Sequence, residues 1–144
     1  MSKKENYFIR VTLTPEQVLV LNDALDVYSR IHIGQFHRVR EEFLTKLDPA
    51  AISRMDAFLF SAREEAFPEL VHGPNQSHSM SSREVKEVGK IAYDIKQVVR
   101  VADAFAKNPE GGQTVNFNMP LWTSLSTPRP VAKAVSILDR LADT

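Results

Sequence analysis

A chain of 144 residues holds one compact domain and not two independent cores, and its 43% hydrophobic and 25% charged residues exclude disorder for its body. Eighteen basic residues balance eighteen acidic ones, so a protein that grips a nucleic-acid backbone by surplus positive charge is not expected. The absence of cysteine removes disulfides, thiolate nucleophiles and cysteine-based zinc sites.

The amino end, Met1-Ser2-Lys3-Lys4-Glu5-Asn6, is not followed by the apolar stretch of a secretory leader. No apolar run approaches the roughly 20 residues a membrane helix needs, and the expected location is the cytoplasm. Residues 7–13 alternate in the period of a strand, with Ile9, Val11 and Leu13 on one face. Thr14-Pro15-Glu16-Gln17 then reads as a capping box with proline in the first turn, so a helix starts here. Its apolar line, Val18, Leu21, Leu25, Tyr28, His32, Phe36, Val39 and Phe43, keeps a spacing of three and four. Unbroken to Leu47, this helix would span roughly 50 Å, against a radius of gyration of about 14–15 Å for such a domain. It must bend, break or reach a second subunit, and Gly34 is the expected bend.

Asp48-Pro49 predicts the cap and first turn of a second helix, with Ile52, Met55, Leu59, Ala62 and Ala66 inward and Pro68 ending it. Residues 72–80 form a polar loop. Ser81 and Glu84 offer a capping box for a third helix that buries Val85, Val88, Ala92, Ile95, Val99, Ala102 and Phe105. Asn108-Pro109-Glu110-Gly111-Gly112 stops it, and Val115, Phe117 and Met119 alternate as a second strand. A loop carrying Trp122 leads to Pro130, which opens a final helix with Val131, Val135, Leu138 and Leu141 inward. The expected fold is therefore α+β, a single domain over residues 1–144 with about four helices packed on a small antiparallel sheet. Two strands alone are marginal, and with the overlong first helix they point to a homo-oligomer.

Phosphate loops, the G-x-S-x-G elbow and H-E-x-x-H are all missing. His32 and His37 lie about 140° apart round a helix and cannot share a metal without unwinding, while His72 and His78 flank the polar loop. Glu41-Glu42 and Glu64-Glu65 are adjacent on helices, about 100° apart in facing, and read as solvation, not as a catalytic dyad. No catalytic residue, metal site or cofactor is expected. Binding has better candidates. His32 falls on the apolar line, either as a satisfied core histidine or as a polar group facing a cleft near Gly34. Around it Arg30, Gln35, His37, Arg38 and Arg40 form a basic cluster that Asp26, Glu41 and Glu42 can pair. Lys86, Lys90, Tyr93, Gln97 and Arg100 fall in one acid-free row on the third helix, read as a solvent face or as a site where cations hold phosphates and an aromatic stacks a base. Asn116 and Asn118 share the outer face of the second strand. Leu121 and Trp122 sit in a loop, tucked onto the core or used at an interface.

Three phrases carry a resemblance: Tyr28-Ser29-Arg30 with Gly34-Gln35-Phe36; the run Ile91 to Arg100; and Pro109-Glu110-Gly111-Gly112 with Thr114-Val115-Asn116-Phe117. Together, over residues 7–119, they resemble a family of short accessory proteins of tailed bacteriophages and prophages. No active-site residue follows from this resemblance. It implies an anti-defence setting in the host cytoplasm, where such proteins occlude a host enzyme or act as oligomeric sponges for nucleotide immune signals. The expected function is accordingly a non-enzymatic binder of a small phosphate-bearing nucleotide through Arg30, His32, Gln35, Lys90, Tyr93, Gln97, Arg100, Asn116, Asn118 and Trp122. An inhibitor that binds a host defence or replication protein through Leu121, Trp122 and a strand edge is the alternative. A nucleotide-processing enzyme using its histidines as general bases is a third reading.

Overall fold

A computed structural model describes residues 8–70, 73 and 76–136. Thr14 opens the first helix as the sequence predicts. Its hydroxyl accepts the Gln17 amide, and the Gln17 side chain accepts the Thr14 amide at 2.9 Å. The helix, α1, runs Pro15–His32 and ends before Gly34. Gly34 has a φ of +90°, which a side chain resists, and a Cβ there would stand 2.5 Å from Leu70 Cδ1. The chain resumes as α2, His37–Glu41, followed by a 3-10 turn at Leu44–Lys46. The long apolar line is thus cut into two helices at the expected glycine. Asp48 then accepts the Ala51 amide at 2.7 Å and caps α3, Pro49–Ala66.

The last long helix, α4, runs Glu87–Lys107 and lies antiparallel to α1. His32 meets Gly89 at one end of this pair, and Asp26 meets Lys96 further along. A Cβ on Gly89 would stand 2.5 Å from His32 Cβ, so the glycine sets how closely the two helices approach. The buried apolar residues among the described ones are Ile33, Leu70, Val85 and Ala92, and the small Ser29 is buried as well. Arg38 reaches from α2 to Asp26 of α1 at 2.8 Å, and Arg40 reaches from α2 to Asp56 of α3 at 2.9 Å. Two ion pairs on one short helix therefore join α1 to α3. No described helix is long and apolar enough to cross a membrane.

The α+β expectation is wrong: no strand forms among the described residues, and the fold is helical. Residues 8–14 lack regular structure, with Phe8, Ile9 and Val11 exposed, while Tyr7 lies outside the described residues. An alternating segment becomes a strand only beside a partner, and the expected partner folds otherwise. Val115–Phe117 closes into a 3-10 turn, through the Phe117 amide to Thr114 and the Asn118 amide to Val115. Phe117 drives this closure: it packs edge-on against Phe105 with centroids 5.1 Å apart, and it lies over Gly112, where any Cβ would collide with its ring.

Two smaller expectations also fail. The Ser81–Glu84 capping box does not form. Ser81 instead pairs with Ser79, Ser82 donates to Glu84, and α4 starts later, with Lys86 at its cap. Residues 131–136 are irregular where the final helix was expected, and Leu138 and Leu141 lie outside the described residues. On α4, Val88 and Phe105 are exposed, Ile95, Val99 and Ala102 are half-buried, and Asp94 and Gln97 take the buried places.

Candidate ligand-binding cleft

The Gly34 bend opens a cleft of about 450 Å³ between α2 and α3. Gly34, Phe36, His37 and Arg40 line one side, and Asp56, Ala57, Leu59, Phe60 and Arg63 line the other. Arg40 Nη1 donates to both Asp56 oxygens, at 3.1 and 2.9 Å. Its Nε is buried with no hydrogen-bond partner among the described residues. Arg63 is 2% exposed and donates to the Leu70 carbonyl and, at 2.8 Å, to that of Gly73. Its guanidinium also stands over the Phe60 ring, 5.3 Å from the centroid. Two phenylalanines, two arginines and a histidine therefore line one concavity with a single carboxylate, which Arg40 already holds. Such a lining suits a ligand that carries both a flat ring and an anionic group.

Behind the cleft, a polar network fixes the bend. Asp26 accepts from Arg30 Nε at 2.9 Å, Arg38 Nε at 2.8 Å and Lys96 Nζ. Burial pushes this carboxyl up, but the hydrogen bonds from Lys96, Arg38 and Arg30 outweigh it and hold the pKa down at about 2. Arg30 continues to Gln35 at 2.6 Å, and Gln35 to Ser77 at 3.1 Å. Arg38 also pairs with Glu42 at 2.6 Å and Glu41 at 3.4 Å. The expected pairing of the basic cluster by Asp26, Glu41 and Glu42 is thus present, except that Arg40 turns to Asp56.

The ten residues expected to bind ligand are not gathered into one pocket. Arg30 and Gln35 belong to the network behind the cleft. His32 packs edge-on against Tyr28, 4.8 Å between centroids, and against Gly89; burial, then the nearby Lys86 charge, depresses its pKa. Lys90, Tyr93, Gln97 and Arg100 lie along α4, but the chain doubles back over part of that row. Arg100 Nη2 donates to the Asn118 carbonyl at 3.4 Å, and the Lys90 carbonyl accepts the Thr123 hydroxyl at 3.3 Å. Gln97 is buried, and Lys90, Tyr93 and Arg100 are half-buried. Asn116 is exposed on the 3-10 turn, as is Asn118 beyond it. Trp122 is half-buried with the Arg129 guanidinium 5.1 Å from its ring centroid, whereas Leu121 is exposed. Among the histidines, His37 lines the cleft, His78 pairs with Glu69 at 2.7 Å, and His72 lies outside the described residues. Among the described residues no group of three or more acidic or histidine side chains could hold a metal.

The basic cluster read from the sequence includes His37 and Arg40, which line the cleft, but not Phe36, Asp56, Phe60 and Arg63, which line it with them. One signal was present: Arg63 stands four positions after Leu59, on the inward line of α3, where a cation calls for an explanation. Comparison with known protein families, characterised proteins and solved structures finds no match.

Proposed function

We propose that this protein is a non-enzymatic binder that captures a small phosphate-bearing nucleotide in the cleft at the Gly34 bend. One observation carries the reading: the aromatic rings of Phe36 and Phe60 line the same concavity as Arg40, Arg63 and His37. A base has an aromatic ring to meet, and a phosphate has the Arg40 guanidinium and the His37 imidazole. Arg40 is the adjustable member, since it can exchange part of its pairing with Asp56 for a more strongly charged acceptor. Arg63, already anchored to two carbonyls, supports Phe60 from behind. The phage-like phrases of the sequence add the setting, in which a protein that holds a nucleotide without consuming it lowers the free concentration of an immune signal.

Thermal unfolding in the presence of cyclic dinucleotides and cyclic ADP-ribose isomers tests this. A ligand at about a hundred times its Kd stabilises the fold by about 2.7 kcal/mol. Arg40→Ala and Phe60→Ala are expected to abolish that stabilisation while the unliganded protein keeps its helical spectrum. Full stabilisation of the Arg40→Ala variant, or none of the wild-type protein by any of these nucleotides, would refute the assignment.

A further inference from the structure

Just beyond α3, Phe67 and Glu69 meet His78 beside the Gly34 bend. The Phe67 amide donates to the Arg63 carbonyl at 2.7 Å, which ties it to a residue of the α3 wall of the cleft. The His78 amide donates to the Ile33 carbonyl at 2.9 Å, and the neighbouring Ser77 hydroxyl accepts from the Gln35 side chain at 3.1 Å. His78 is thus fixed to the bend through its backbone. Its side chain, 11% exposed, reaches Glu69, with Nε2 at 2.7 Å from the carboxylate. An imidazole restrained at its backbone and at its outer nitrogen presents a fixed surface. That surface lies beside Phe67, 5.8 Å between ring centroids, and Phe67 stands edge-on to Phe36 at 6.0 Å. Both spacings fall where aromatic pairs attract. Phe36 lines the cleft on its α2 side.

We infer that His78 is a positioning residue for the cleft: Glu69 holds its ring, the ring backs Phe67, and Phe67 keeps Phe36 in place on the cleft wall. Phe67 also lies against the bend itself, since a Cβ on Gly34 would stand 3.8 Å from Phe67 Cδ2. Removing the imidazole leaves a space into which Phe67 can turn, and Phe36 then loses its support. A ring free to change rotamer must be immobilised when a ligand arrives, which weakens binding, whereas a ring already held needs no such ordering. The effect on ligand affinity rests on the nucleotide reading of the cleft. The placement of Phe36 does not, because it is a property of the unliganded protein.

Aromatic-ring NMR of the unliganded full chain, followed by titration with cyclic dinucleotides and cyclic ADP-ribose isomers, tests the inference. His78→Ala is expected to move the Phe67 and Phe36 ring resonances and to weaken nucleotide binding about threefold to tenfold. Glu69→Ala is the second variant, because a side chain 46% exposed beyond the end of α3 can be removed without opening the core, and it should move the same resonances in the same direction. The two substitutions together should do no more than His78→Ala alone, since both act through one ring. Glu65→Ala, exposed on α3, should change neither readout. Phe36 resonances that stay in place in both single variants would overturn the inference, as would unchanged affinity for a nucleotide that binds the wild-type protein. A wild-type protein that binds none of these nucleotides refutes the reading of the cleft instead, and the Phe36 resonances of the unliganded variants then decide the role of His78 by themselves.

Discussion

Replacing Asp26 with asparagine removes the one negative charge on which Arg30, Arg38 and Lys96 converge. Its carboxyl is held at about 2 in the fold against an ordinary value of 3.8. At about 1.4 kcal/mol per pKa unit, the difference amounts to about 2.5 kcal/mol as an upper bound. Solvent reaches the network through Arg30, whose side chain is 42% exposed, so about 1–2 kcal/mol is the figure to expect. Because folding depresses this pKa, the contribution is complete above the unfolded value and disappears as pH falls towards 2. Urea unfolding followed by helical circular dichroism, on wild type and Asp26→Asn, measures the gap directly. The gap should be about 1–2 kcal/mol near pH 7 and about half that by pH 3. A variant within about 0.5 kcal/mol of wild type near pH 7, or a gap unchanged down to pH 3, would refute the role given to this carboxylate.

Three further substitutions probe the frame around the cleft and the chain that doubles back over α4. Gly34→Ala forces a side chain into φ +90° and against Leu70, and should cost about 1–3 kcal/mol in the same unfolding assay. Gly89→Ala places a methyl group against His32 and should lower stability by about 1–3 kcal/mol by pushing α1 and α4 apart, whereas ordinary helix propensity alone would favour alanine. Asp94→Ala removes the acceptor for the Thr123 and Ser124 amides, and is expected to shift Trp122 fluorescence and to open the chain near Leu121 to limited proteolysis.

Where a local motif and a local physical constraint coincided, the sequence was legible. Thr14-Pro15 and Asp48-Pro49 cap their helices as expected, because a cap is a contact among residues three apart. Gly34 interrupts the long apolar line because glycine takes a positive φ without the strain a side chain would meet there. The strands were misjudged because alternation reports a half-buried extended face, and burial depends on a partner the local pattern does not contain. Phe117 found Phe105 instead, and the alternating segment closed into a turn. Four of the five residues of the row lie on α4 and Lys86 sits at its cap, while what covers part of the row comes from residues 118–126, bound through Asp94 and Glu87. The cleft was half-legible for a similar reason. His37 and Arg40 sit close to Gly34 in sequence, while Asp56, Phe60 and Arg63 reach it only by the packing of α3 on α2.

Backbone amide chemical-shift mapping of the isotope-labelled protein during titration with a cyclic dinucleotide tests the central claim most directly. The perturbed amides are expected to cluster at residues 34–40 and 56–63, the two walls of the cleft. Perturbations centred instead on residues 90–100 of α4, or spread evenly over the surface, would contradict it.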